Sequence, residues 1–157
     1  MTSTSVDVCE GCGLHVADGT GGCQAMFDEF RAREMSELAP SYASTRLTVD
    51  VYCLQHPDRY CVSAKSLAAH LTGVGWAVER GGGEWGLRRL QRWLDSGPKL
   101  EKPALPAGHG ALTIADVASA AHTAAYIAAL DRWARSTWAA YSELHDIAGR
   151  WIDAAVA

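Results

Sequence analysis

The feature that most limits how this chain can fold is a set of three cysteines near its N-terminus. Cys9 and Cys12 lie in the stretch CEGCG, and Cys23 follows a second glycine-rich stretch, DGTGG. Residues 6–22 have the Gly, Asp and Thr content that is typical of a loop. A polar loop of this kind buries too little apolar surface to order itself. The sequence therefore predicts an N-terminal loop that depends on its sulfur atoms for order.

A bound metal ion is the interpretation that this spacing favours. Cys9 and Cys12 can converge on one ion if the backbone between them forms a tight turn, and Gly13 permits the left-handed conformation that such a turn needs. Cys23 opens a predicted helix, whose dipole favours the thiolate form. Three thiolates need one further ligand to complete a zinc tetrahedron. We therefore predict Zn²⁺ bound by Cys9, Cys12 and Cys23.

Three histidines are candidates for the fourth ligand. His56 ranks first because the following Pro57 ends a predicted helix at this point and holds the histidine at the end of the bundle. His70 ranks second and lies in the middle of a predicted helix. His15 ranks third because it is so near Cys12 that the chain would have to reverse sharply.

The alternatives to a metal are a disulfide framework and a redox pair. Five cysteines are an odd number, and the first residues, MTSTSVDV, lack the charged and apolar regions of a secretory signal. We therefore expect a cytoplasmic protein with reduced thiols. A redox CxxC pair usually opens a helix after a strand, and no strand is predicted before Cys9. Cys53 and Cys61 lie on apolar helix faces and are interpreted as buried side chains.

Composition narrows the class of protein and its partners. Of the 157 residues, 48% are hydrophobic and 20% are charged, which is typical of a folded domain rather than a disordered chain. The net charge of -4 leaves no basic face for a phosphate backbone, so no nucleic-acid partner is expected. No apolar run reaches the roughly 20 residues that a bilayer crossing requires, so no membrane association is expected.

Hydrophobic periodicity predicts an all-α fold, with four or five helices in an irregular bundle and the cysteine loop packed against it. Apolar residues recur at three- and four-residue steps, and no stretch shows the alternation of a strand. We expect one domain over residues 1–157. Its predicted parts are the cysteine loop (1–22), a helical region (23–97), a Pro- and Gly-rich linker or lid (98–110) and C-terminal helices (111–157). Within the last part, Thr113 is a predicted N-cap with Asp116 three residues on, and one long helix runs from about Ala120 to the end.

A second functional hypothesis comes from polar residues on core-facing helix stripes. Asp50, His70 and His145 would form an interior pocket for a small-molecule ligand, with acid–base or metal-assisted chemistry and the linker as its lid. The simpler interpretation is a buried hydrogen-bond pair that fixes helix register. A third hypothesis is a protein-interaction module that uses exposed tryptophans. The sequence leaves open whether the protein is an enzyme.

The sequence resembles a family of uncharacterised bacterial proteins of the domain-of-unknown-function type. The family blocks are CPxCG, a GC before the first helix, RLTVDAYxxQHP, an HL in the next helix and RWAxxVWxAWxxHH. They correspond here to Cys9–Gly13, Gly22-Cys23, Arg46–Pro57, His70-Leu71 and Arg132–His145. This chain departs from the family at Glu10, which replaces a proline, at DGTGG, which lacks the family's loop histidine, and at Asp146, which replaces the second histidine of the pair. The resemblance implies a site built from these blocks and no particular reaction.

Overall fold

The computed structural model describes residues 6–157, and this part of the chain is mostly helical. Two short strands come first, followed by eight α-helices and one 3₁₀ turn. The strands are β1 (Val6–Val8) and β2 (His15–Ala17). The helices are α1 (Thr20–Glu37), α2 (Tyr42–Gln55), α3 (Pro57–Tyr60), α4 (Ala64–Glu79), α5 (Glu84–Asp95), α6 (Ile114–Ala118), α7 (Thr123–Ala140) and α8 (His145–Val156). The predicted mostly helical fold is confirmed.

The N-terminal segment differs from the predicted loop because it contains a small β-hairpin. β1 and β2 pair in antiparallel register, with Val6 opposite Ala17 and Val8 opposite His15. Strands of three residues are too short to show an alternating pattern, which is why the sequence did not indicate them. The hairpin places CEGCG at its turn, where Cys9 contacts His56 and Cys12 contacts Cys23 of α1.

Four of the helices, α2, α4, α6 and α7, begin where a capping side chain accepts from a backbone N–H of the first turn. Ser41 Oγ accepts from the Ser44 N–H at the start of α2, and Ser63 and Ser66 form a capping box at the start of α4. The predicted Thr113 cap is also confirmed, since Thr113 and Asp116 form a capping box on α6. These caps fix where each helix enters the bundle.

Helices α2 and α4 form the centre of the packing. α2 lies against α4 and α7, while α4 also contacts α5, α7 and α8. Large apolar side chains meet at these contacts, including Leu54 of α2, Leu71 of α4 and Trp133 of α7, each of which is fully buried. The strong burial of α2 explains why a helix with several β-branched residues is stable, since packing outweighs weak intrinsic propensity.

The predicted C-terminal helix is divided in two by a 3₁₀ turn at Ser142–Leu144. Tyr141 ends α7, and its side chain is buried with its hydroxyl donating to the Leu54 carbonyl. The three-residue turn preserves a spacing close to helical, so the apolar pattern continues across the break. Among the described residues, none of the helices has both the length and the apolar character needed to cross a membrane.

The linker is held to the bundle by one buried glutamine of α2. The Gln55 amide donates to the His109 carbonyl at 3.0 Å and to the Leu112 carbonyl at 2.6 Å. Its oxygen accepts from the Trp133 indole N–H at 2.9 Å. Because all three groups lie on other parts of the chain, Gln55 fixes the end of the linker beside the last turn of α2.

Candidate metal centre

Four side chains from three parts of the chain meet at one end of α2. Cys9 and Cys12 come from the hairpin turn, Cys23 from the first turn of α1, and His56 from the residue after α2. Their ligand atoms all lie within 4.8 Å of one another, and this group could hold a metal ion. Cys9, Cys23 and His56 are buried, while Cys12 is partly exposed. We call these four residues the Cys₃His cluster.

The spacing of the cluster is close to that of a tetrahedral site. Cys12 Sγ lies 3.7 Å from Cys23 Sγ, and His56 Nε2 lies 3.4 Å from Cys9 Sγ and 3.5 Å from Cys23 Sγ. Zinc bond lengths give a regular tetrahedron edges of about 3.8 Å between two sulfurs and about 3.6 Å between sulfur and nitrogen. These three edges therefore suit one small ion at the centre of the cluster.

The His56 ring is oriented by the backbone of its own helix. Nδ1 lies 2.7 Å from the Tyr52 carbonyl oxygen, and a carbonyl only accepts, so Nδ1 carries the proton. Nε2 then has a free lone pair directed at the sulfurs. Such a hydrogen bond from the non-ligating nitrogen is the usual support of a metal-binding histidine.

Tyr52 supports the cluster a second time through its side chain. Its ring stacks on His56 with centroids 4.0 Å apart, and its hydroxyl lies 3.5 Å from Cys23 Sγ. Phe27 of α1 stacks on the other side of Tyr52 at 3.8 Å. The aromatic stack thus connects α1 to α2 next to the candidate ligands Cys23 and His56.

Two glycines allow the hairpin to approach the helices closely. A Cβ on Gly11 would lie 2.5 Å from His56 Cδ2 and 2.8 Å from the Gln55 carbonyl oxygen, which is too close for any side chain. A Cβ on Gly22 would lie 1.8 Å from the Ala17 carbonyl oxygen. Gly13, with a φ of 79°, closes the turn and donates its N–H to the Cys9 carbonyl.

The hydrogen bonds within the cluster favour negative charge on one sulfur. The hydrogen bond from Cys12 lowers the pKa of Cys23 to about 4, against burial, which raises it. The same hydrogen bond raises the pKa of Cys12 far above the ordinary value. Burial opposes a charge on His56, but hydrogen bonds to Cys23 and to the Tyr52 carbonyl raise its pKa overall. A buried thiolate beside further sulfurs is the environment that a soft cation enters readily.

The other two candidate histidines lie outside the Cys₃His cluster. His15 is exposed on β2. His70 is in α4, where its Nδ1 lies 2.9 Å from Asp50 Oδ1. The structure thus pairs His70 with Asp50, in agreement with the simpler interpretation of a buried hydrogen-bond pair.

His145 does not belong to the same pocket as Asp50. Its Nε2 lies 2.7 Å from the Trp138 carbonyl, and its ring stacks on the Trp138 indole with centroids 4.0 Å apart. It lines a separate cavity with Glu79 and Arg80, whereas Asp50 lines a cavity between α2, α4 and α5. Of the six tryptophans, Trp85 is the exposed one, at 58%.

Some residues around the site were not singled out by the sequence. Tyr52 could have been found, because it lies four residues before His56 and hence on the same face of α2. His109 could not, since its Nδ1 contact to the Gly11 carbonyl at 2.6 Å joins residues far apart in the chain. Glu34 is fully buried on α1. It accepts from Thr48 Oγ1 at 2.6 Å and from the hydroxyl of Tyr126.

Comparison with protein families gives one match. The model of a family described as a family of unknown function, DUF5946, matches residues 7–142. The matched range contains all four residues of the Cys₃His cluster as well as Asp50 and His70. The search of curated proteins and the search of solved structures each returned no match. The resemblance to a domain-of-unknown-function family is confirmed.

Proposed function

The chain belongs to DUF5946, a family of unknown function, and we propose that it is a zinc protein whose ion has a structural role. In this proposal Cys9, Cys12, Cys23 and His56 bind one Zn²⁺. The observation that carries it is that all four ligand atoms lie within 4.8 Å of one another and that three of their distances are close to tetrahedral edges. Thiolate and imidazole ligands in this geometry favour zinc over the harder divalent cations.

The structural role follows from the number of ligands and from what they connect. A zinc ion with four protein ligands has no open position for substrate or water, and catalytic zinc requires one. The proposed ion would join the hairpin turn, the start of α1 and the end of α2. Because the N-terminal segment is short and polar, metal coordination would supply the free energy that orders it.

Metal content tests the proposal directly. We expect the full chain, purified without added metal, to hold one zinc per molecule by inductively coupled plasma mass spectrometry. Cys12→Ser should lose most of this zinc and should melt at a lower temperature. Cys12 is the least buried of the four ligands, so its substitution disturbs packing least. Cys53→Ser is the matched control, because Cys53 is a buried cysteine outside the cluster and should retain the metal.

Three results would contradict the proposal in whole or in part. Equal zinc content in wild type and Cys12→Ser would place the metal elsewhere. A second contrary result would be a wild-type protein that contains no metal and, by native mass spectrometry, is two hydrogen masses lighter than the reduced chain. It would indicate a disulfide, and the redox interpretation of the cysteines would replace the zinc site. Loss of zinc from Cys12→Ser without a change in melting temperature would support the metal site but contradict its structural role.

A further inference from the structure

One buried oxygen of Asp50 has no hydrogen-bond partner in the described part of the chain. Asp50 Oδ1 accepts from His70, but Oδ2 is buried and unpaired. The nearest cation, Arg46 Nη2, lies 3.9 Å from Oδ2, beyond hydrogen-bond distance, and Arg46 Nη1 donates to the Tyr42 hydroxyl instead. Leaving a buried carboxylate oxygen unpaired is unfavourable, because the desolvation of the oxygen is not compensated by a hydrogen bond, so such an atom calls for a partner.

Asp50 lies at the wall of a cavity of about 200 Å³ between α2, α4 and α5. Oδ2 faces Gly73, where a Cβ would lie only 2.1 Å away, and both Asp50 and Gly73 line the cavity. The volume equals that of about seven water molecules in the liquid, which is enough for a small organic molecule.

The rest of the cavity wall is mainly apolar, and its rim is open. Leu47, Trp76 and Leu87 supply the apolar surface. The Trp76 indole is held in place because its N–H donates to the Gly83 carbonyl at 3.0 Å. The rim is formed by Gly81, Gly82 and Gly83, which carry no side chains and all have positive φ. A concave apolar site with one well-placed polar group is the usual form of a small-molecule pocket.

We propose that this cavity binds a small neutral molecule that donates an N–H group to Asp50 Oδ2 and packs an apolar body against Trp76. A neutral ligand fits better than a cationic one, because Arg46 already supplies one positive charge beside the carboxylate. The site is separate from the Cys₃His cluster, so this inference does not depend on the metal and goes beyond the proposed structural role.

Benzamide is a suitable probe because it combines an aromatic ring with an amide N–H donor. Methyl benzoate is its matched control, since it has a similar shape and no donor. We expect benzamide titrated into the full chain to shift the backbone NMR signals of Asp50, Gly73 and Gly82. Methyl benzoate should bind about tenfold more weakly, because it leaves the buried oxygen unpaired.

A pair of protein variants locates the site independently. Ala77→Leu adds bulk to the cavity wall and should reduce benzamide affinity at least tenfold. Ala128→Leu makes the same change at an exposed position of α7 and should leave the affinity unchanged. The proposal is overturned if benzamide produces no shifts at these residues, if methyl benzoate binds equally well, or if a folded Ala77→Leu protein binds benzamide like wild type.

Discussion

At the scale of single residues, the approach of the hairpin to His56 depends on the missing side chain of Gly11. Gly11→Ala would place a methyl group 2.5 Å from His56 Cδ2, so either the ring or the turn must move. We expect zinc affinity to fall roughly tenfold or more, as it does when groups that orient metal ligands are disturbed. Competition with a chromophoric zinc chelator would measure the change.

The control for this substitution is Gly21→Ala. Gly21 is exposed in the first turn of α1, and a Cβ there meets nothing within 4 Å. Its zinc affinity should equal that of wild type. If the two variants bound zinc equally, the hairpin turn would be free to shift, and the close contact with His56 would have no part in positioning the ligands.

The residues that the sequence identified best are those whose chemistry depends on local spacing. Cys9, Cys12 and Gly13 define a tight turn within a few residues, and Pro57 fixes the end of α2 next to His56. Sequence placed these groups in the right local structures and ranked His56 first. The binding of zinc by these residues stays a prediction. Gly11 was missed because its role arises from a contact with a residue far along the chain.

At the scale of elements, α1, α2 and α7 are joined by a buried polar contact. Burial and the hydrogen bond to Glu34 raise the pKa of Tyr126, so its hydroxyl stays protonated and donates to the Glu34 carboxyl. Tyr126→Phe removes this donor while Thr48 Oγ1 still donates. We expect a loss of about 1.5–3 kcal/mol in the free energy of unfolding, measured by urea denaturation, because the acceptor is a buried charged group.

Tyr42→Phe is the corresponding change at an exposed site, where the hydroxyl accepts from Arg46. It should alter the free energy of unfolding by about 0.5 kcal/mol or less. Equal effects of the two substitutions would mean that the contact between α1 and α7 adds nothing beyond an ordinary surface hydrogen bond.

Element types were predictable from sequence where a pattern is long, and were missed where it is short. The periodicity of α4 and α5 extends over several turns, and both helices lie within the predicted helical region 23–97. The β1–β2 hairpin is too short for a period-two signal. The 3₁₀ turn at Ser142–Leu144 preserves the apolar spacing, so sequence alone joined α7 to α8. Neither the hairpin nor this break can be recognised in the hydrophobic pattern.

At the scale of the whole molecule, a structural zinc ion would couple the N-terminal segment to the helical bundle. An ion that binds the folded but not the unfolded chain stabilises it by about 2.7 kcal/mol when free zinc is a hundred times its dissociation constant. For a chain of this size, that corresponds to a melting temperature roughly 5–10 °C higher. We expect a chelator to lower the melting temperature of wild type by this amount and to leave Cys12→Ser unaffected.

Circular dichroism should also show that most helical signal survives chelation at low temperature, since α2 and α4 pack through apolar side chains away from the Cys₃His cluster. A chelated protein that melted at the same temperature as the zinc-loaded one would show that the hairpin is held by the contacts of Tyr52, Gly11 and His109 alone.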